Sequence, residues 1–68
     1  MLIDDYIGHI VVVELDTSLT YQGLLEAVKD EFITDYVKVT FGSSVDWLPR
    51  HEIYKITPIY PKRFVSEE

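Results

Sequence analysis

Cysteine is absent from the sequence, which excludes disulfide bonds and thiolate metal sites. A chain of 68 residues is long enough for a single small domain, residues 1–68, and a core of that size is marginal on its own. Without covalent cross-links, the domain must be stabilised by tight packing or by partner subunits. Hydrophobic residues make up 47% of the chain, so we expect a packed core and association with further copies of the chain.

Basic residues are also scarce: six Lys and Arg stand against twelve Asp and Glu, a net charge of −6. Lys and Arg supply the affinity for phosphate backbones, so this composition argues against general nucleic-acid binding and leaves room only for a local basic patch. No apolar run approaches the roughly 20 residues of a membrane span. The first residues, MLIDDYIG, carry acids where a signal peptide has basic residues. We therefore expect a cytoplasmic protein without a membrane partner.

Catalytic and metal-binding patterns are missing as well. His9 and His51 lie far apart, and neither belongs to a His-x-x-His or His-Glu-x-x-His pattern. Ser43 and Ser44 follow a glycine without forming the G-x-S-x-G elbow of a hydrolase, and no glycine-rich phosphate loop is present. The sequence predicts a protein that is not an enzyme and that has no metal site and no cofactor.

The sequence does contain a series of short apolar segments separated by turn residues. The first segment has apolar residues at i, i+3 and i+4, two early acids and a glycine after it, which predicts a short helix over residues 2–7 that covers one end of the core. The following segments are rich in β-branched and aromatic residues and predict strands. We place the strands at about 9–15, 19–28, 32–41, 45–48 and 53–60, and we expect a frayed tail over 61–68.

The second strand contains Gly23 within LTYQGLLEAV, a stretch whose leucines also suit a helix. Glycine weakens a helix by about 1 kcal/mol, whereas in a strand it marks a bend or a close backbone approach, so we favour a bent strand. Asp35 interrupts the apolar face of the third strand, and Pro58 places the last strand at an edge. Five strongly bent strands predict a mainly β fold, a small barrel that is closed or partly open, because closure removes exposed edges.

Three stretches, in this order, resemble the Sm/LSm family, which includes the bacterial protein Hfq: VVVEL at 11–15, Tyr21-x-Gly23-x-Leu25, and LPRHEIYKI at 48–56. The last stretch contains a tight corner at Pro49-Arg50-His51. The resemblance implies an SH3-like (Sm-like) barrel that assembles into a homo-oligomeric ring. In the family, strand four pairs with strand five of a neighbour, which implies that residues 45–48 and 53–59 form the interface between subunits.

The resemblance also implies a site for single-stranded RNA. Family members bind uridine-rich or adenine-rich RNA through an Asp-x-aromatic-x-Asn pattern after strand two and a basic corner between strands four and five, where bases stack on aromatic faces. When the Asp-x-aromatic-x-Asn pattern is aligned on Gly23 without a gap, its three positions fall on Lys29, Glu31 and Ile33. The acid, the aromatic ring and the amide are then all missing. An alignment with one inserted residue preserves the acid and the aromatic residue of the pattern. The sequence does not decide between the alignment with the insertion and the alignment without it. The candidate RNA-binding residues are then Asp30, Phe32, Thr34, Arg50 and His51.

Each candidate also has a structural interpretation. A phenylalanine such as Phe32 is more often core than stacking platform, and a lone histidine such as His51 often only bonds within a corner. Arg50 matches the lysine of the Hfq-like Lys-His corner in charge but not in shape, and it also suits an ion pair with Glu52 or with an acid of a neighbour. The basic and aromatic cluster YPKRF at 60–64 suits a solvated tail.

Three functions follow from these observations. The first is a ring that binds single-stranded RNA through its inner loops. The second is a Sm-like ring that serves as an assembly scaffold without RNA, which the acidic composition favours. The third is a monomeric SH3-like module that binds peptides on an aromatic groove, for which the available side chains are Tyr21, Tyr36, Trp47 and Tyr54.

Overall fold

The computed structural model describes residues 2–59. The 3-10 helices are Ile3–Tyr6 and Arg50–Glu52, and the strands are β1 (Ile10–Leu15), β2 (Thr20–Ala27), β3 (Tyr36–Phe41), β4 (Ser44–Pro49) and β5 (Ile53–Pro58). The fold of the described residues is mainly β, as predicted. In this part of the chain, no helix has the length and apolar character needed to span a bilayer. The predicted tail over 61–68 lies outside the described residues.

The strands form one antiparallel sheet in the order β4-β3-β2-β1-β5. The first four strands pair as successive hairpins, and the chain then returns so that β5 lies beside β1. Within residues 2–59, β4 and β5 have a strand on one side only, so the sheet is unclosed and has two open edges. A fully closed barrel, one of the two expected forms, is not what this part of the chain forms.

The sheet must nevertheless be strongly curved, because its two edge strands follow one another in sequence. Only the 3-10 turn Arg50–Glu52 separates the end of β4 from the start of β5. Such a short connection spans at most about 14 Å, whereas the outer strands of a flat five-stranded sheet lie about 19 Å apart. The two open edges therefore approach each other at the corner.

β2 is the strand through which the sheet changes direction. Residues 20–24 pair with β1, and residues 24–27 pair with β3. Gly23 has φ +153°, and a Cβ at this position would collide with the backbone carbonyl of Thr40. The glycine thus permits a close approach of β3 to β2. The prediction of a strand rather than a helix at Gly23 is confirmed.

One face of the sheet forms the core. Alternate positions along the strands are buried, as expected for side chains that point to opposite faces. The buried hydrophobic residues are Val11, Val13, Leu15, Leu25, Val37, Val39, Leu48, Ile53 and Ile56. Ile3, Tyr6 and Ile7 pack against this cluster, so the segment before β1 covers the core as expected.

The predicted short helix over 2–7 is confirmed only as a single, shorter helical turn. The structure has one 3-10 helix there, Ile3–Tyr6. Gly8 follows it with φ +93°, and the chain pairs in the sheet from Ile10 onward.

The third strand, predicted over 32–41, begins only at Tyr36. The cause is Asp30, whose carboxylate accepts the backbone N–H of Phe32 at 2.9 Å and whose carbonyl accepts the N–H of Ile33 at 3.0 Å. Asp side chains often form such turns by accepting hydrogen bonds from nearby backbone N–H groups. The sequence pattern does not show whether this turn or an extended strand will form. The other predicted strand limits agree with the observed ones to within one residue, except the end at residue 60, which lies outside the described residues.

Candidate functional site: the open edges and the basic corner

The free edge of β4 presents a defined set of backbone groups. The N–H of Arg50 donates to the carbonyl of Asp35 at 2.6 Å, in register with the β3–β4 ladder. Because bonded and non-bonded pairs alternate along an antiparallel ladder, the backbone groups of Val45, Trp47 and Pro49 point away from β3. Two N–H donors and three carbonyl acceptors are therefore directed out of the sheet.

The outward backbone groups at the free edge of β5 are identified in the same way. The N–H of Ile59 donates to the carbonyl of Ile10 at 2.9 Å, and the alternation then directs the backbone groups of Ile56 and Pro58 away from β1. Pro49 and Pro58 thus both occupy outward positions, where the missing N–H interrupts no ladder bond. The prediction that Pro58 belongs to an edge strand agrees with this placement.

β4 also carries exposed apolar side chains beside its open edge. Val45 is 52% exposed and Trp47 is 48% exposed, and the Trp47 ring lies 6.3 Å from that of Tyr36 with the planes tilted by 54°. Soluble proteins usually protect a free edge with charges, prolines or a covering segment. Of these devices, the described part of β4 has Asp46 and a terminal proline, and its apolar residues remain uncovered.

Three predicted RNA-binding residues lie in the loop between β2 and β3. Phe32 is 87% exposed and is therefore not a core residue, contrary to its structural interpretation. The Asp30 carboxylate is engaged in shaping the loop through the N–H of Phe32. Thr34 is exposed but is not in a strand, contrary to prediction. The loop thus presents an aromatic ring to solvent on a turn fixed by its neighbour.

Arg50 and His51 lie in the 3-10 turn of the corner. The Arg50 guanidinium is 3.1 Å from the carboxylate of Asp4, and the two side chains are 31% and 76% exposed. Among the described residues its ion-pair partner is thus Asp4, and not Glu52, one of the two alternatives that the sequence left open. Its Nε is buried without a hydrogen-bond partner. His51 is 77% exposed and its Nε2 is 3.8 Å from the carboxylate of Glu52.

The backbone bond from Arg50 to Asp35 joins the corner to the end of the β2–β3 loop. The five predicted site residues thus fall on two adjoining segments. Sequence reasoning missed Asp4, because a contact across 46 positions leaves no local signal. Lys29, on which the Asp position of the ungapped alignment falls, lines a half-open cavity of about 390 Å³ together with Lys38, Ile7 and Leu24.

Within residues 2–59, no group of three or more His, Cys, Asp or Glu side chains could hold a metal ion. Comparisons with protein-family models, with curated proteins and with solved structures found no match. The resemblance to Sm-like proteins therefore rests on the three sequence stretches alone.

Proposed function

We propose that this chain is an Sm-like subunit whose curved sheet is a small barrel, open between β4 and β5, and that copies assemble into a homo-oligomeric ring. The observation that carries the proposal is the pair of open edges, each with outward backbone groups, at the two ends of one sheet. The exposed Val45 and Trp47 add apolar area beside the β4 edge. Pairing β4 with β5 of a neighbour satisfies both edges at once.

Such pairing joins two different surfaces and is therefore heterologous. A heterologous contact repeats from subunit to subunit and closes into a ring when the rotation between subunits allows. The strong curvature of the sheet, which follows from the short connection at the corner, favours a rotation of this kind. The small core of a 68-residue chain gains stability from the same contact.

The test is native mass spectrometry of the chain and of Val45→Pro. This substitution removes one outward N–H of β4 and leaves the β3–β4 ladder bonds intact. We expect a single oligomer for the original chain at micromolar concentration and a shift towards monomer for Val45→Pro, with the circular dichroism of a β protein retained. Val45→Thr keeps the N–H and the branched shape and is the matched control. A monomeric original chain would contradict the ring and leave the peptide-binding module as the alternative.

A second candidate function is binding of single-stranded RNA at the loop and corner, which the 87% exposure of Phe32 favours. An exposed aromatic ring offers a stacking surface for an unpaired base. His51 and the guanidinium of Arg50 supply hydrogen-bond donors on the adjoining segment. The net charge of −6 per subunit opposes long-range attraction of RNA, so we expect weak binding that depends on these local contacts.

This candidate is tested with short oligo(U) and oligo(A) RNA at two salt concentrations. Phe32→Ala should weaken binding by about five-fold or more, since stacking on one ring contributes about 1–3 kcal/mol. Phe41→Ala is the control, because Phe41 is also exposed, at 64%, but lies at the other end of β3. Absence of binding to the original chain at low salt, where phosphate contacts are strongest, would favour the scaffold.

A further inference from the structure

Each open edge of the sheet carries a single charged side chain, and the two charges have opposite sign. Asp46 is the only charged residue of β4, and Lys55 is the only one of β5. Both residues are exposed, and neither forms an ion pair with another residue of the described range 2–59. The two edges thus offer complementary charges to a neighbouring copy of the chain.

The direction of the backbone groups determines which residues of two copies can lie opposite each other. Antiparallel pairing is more stable per residue than parallel pairing, and in its ladder the two residues of a hydrogen-bonded pair lie directly opposite. The outward residues of β4, among them Val45, must therefore lie opposite outward residues of β5, among them Ile56. Asp46 and Lys55 direct their backbone groups into their own sheets, so the same alternation allows them to lie opposite each other.

The prolines at the strand ends favour one register. β4 and β5 have six residues each, and both end in a proline, which has no N–H to donate. Antiparallel overlap of the remaining stretches, 44–48 and 53–57, agrees with the pairing that the outward groups require, and it places Asp46 opposite Lys55. A shift by two residues, the smallest that the alternation permits, shortens this overlap and separates the two charges.

The same register keeps the cores of the two copies apart. Asp46 points to the core face of its sheet, opposite the buried Val39, whereas Lys55 points to the outer face, opposite Glu14. Residues that lie opposite each other in a ladder project to the same side, so the core face of one copy continues into the outer face of the next. The two cores therefore lie on opposite sides of the shared strands, and the half-exposed Trp47 of one copy lies on the side of the neighbour's core.

We propose that Asp46 of one copy forms an ion pair with Lys55 of the next copy, and that this pair selects the register in which Val45 lies opposite Ile56. The inference rests on the proposed assembly, which uses the same two edges. Opposite charges directly across a ladder attract and like charges repel, so the pair discriminates against shifted registers. Backbone pairing and the apolar side chains of β4 supply most of the stability of the contact.

Charge reversal tests the ion pair. Asp46→Lys and Lys55→Glu each create like charges at every contact of the assembly. We expect each variant to require a protein concentration about five-fold or more higher for assembly, measured by sedimentation velocity. Glu31→Lys is the control for Asp46→Lys, because it changes the net charge equally but lies in neither edge strand, and it should not weaken assembly. Circular dichroism verifies that each variant is folded, which matters most for Lys55→Glu, since Glu14 lies opposite that position in its own sheet.

Mixing the two reversed variants distinguishes the ion pair from a loss of folding. Where the variants alternate in the assembly, every contact between them again joins one positive and one negative side chain. We expect the mixture to assemble at a lower concentration than either variant alone. If the original chain is oligomeric but Asp46→Lys assembles as readily as Glu31→Lys, or mixing brings no gain, the ion pair is overturned and the assembly stands. A monomeric original chain overturns both proposals.

Discussion

At the scale of single residues, Gly23 is the position where an added methyl group meets backbone rather than a movable side chain. We expect Gly23→Val to lower the free energy of unfolding by about 3–5 kcal/mol, because the Thr40 carbonyl occupies the space of the new Cβ. Urea unfolding followed by circular dichroism measures the change.

Gly42→Ala is the matched control for Gly23→Val. Gly42 also has a positive φ, +63°, but a Cβ there meets nothing within 4 Å. Its substitution should lower stability only by the backbone strain of about 1–2 kcal/mol. Equal losses for the two variants would show that the close approach of β3 to β2 is not the reason for the glycine.

The ion pair between Asp4 and Arg50 leads to a prediction for the RNA site. The carboxylate of Asp4 competes with a phosphate for the same guanidinium, and an exposed pair contributes at most about 1 kcal/mol. Asp4→Asn should therefore raise the affinity for short single-stranded RNA by no more than about five-fold, with little change in stability. Fluorescence anisotropy of labelled oligo(U) measures the affinity.

Asp5→Asn is the control for this variant, because Asp5 lies in the same 3-10 helix and makes no ion pair within residues 2–59. It removes the same charge without releasing Arg50. If both variants raise the affinity equally, the effect comes from net charge alone. A decrease on Asp4→Asn would show that Asp4 positions Arg50 for RNA instead of competing with it.

At the scale of elements, the strands were predictable where alternation and flanking turn residues agree. β1 and β5 have clear apolar patterns, and both limits of β1 and the start of β5 were predicted to within one residue. The start of β3 was not predicted, because Asp35 was interpreted only as an interruption of the apolar face, whereas the turn at Phe32 and Ile33 depends on bonds to Asp30. The contact of Arg50 with Asp4 was likewise beyond sequence reasoning, since it depends on how the first segment folds over the core.

Asp30→Ala tests this explanation of the β2–β3 loop. Loss of the carboxylate removes the acceptor of the Phe32 N–H, so we expect faster hydrogen exchange of that amide while the amides of β3 keep their protection. Global stability should fall by no more than about 1 kcal/mol, the contribution of a single exposed hydrogen bond. Glu31→Ala, one position further along, should leave the exchange of Phe32 unchanged.

At the scale of the whole molecule, the strand order brings two sequence-adjacent strands to opposite edges of one sheet. The nonlocal pairing of β1 with β5 creates this arrangement, and no local pattern in either strand encodes it. Pro58 predicted an edge position for the last strand, and the observed order has β4 and β5 at its edges. Which surface a neighbour occupies is a property of the assembly, and it depends on both edges together.

The acidity of the chain gives assembly and RNA binding opposite salt dependences. Each subunit carries a net charge of −6, so subunits in a ring repel one another and added salt screens this repulsion. Between about 0.01 M and about 0.1 M salt the Debye length falls from about 30 Å to about 10 Å.

We therefore expect the oligomer to become more stable as salt rises, so that it persists to lower protein concentrations. Sedimentation velocity over a dilution series measures this change. RNA affinity should fall over the same range, because the release of counterions by phosphate contacts is less favourable into a more concentrated salt solution. Val45→Pro is the reference for a chain without edge pairing, and its sedimentation should not vary with salt. An oligomer that weakens with salt would mean that the contact between subunits is governed by ion pairs rather than by backbone pairing and the apolar side chains of β4.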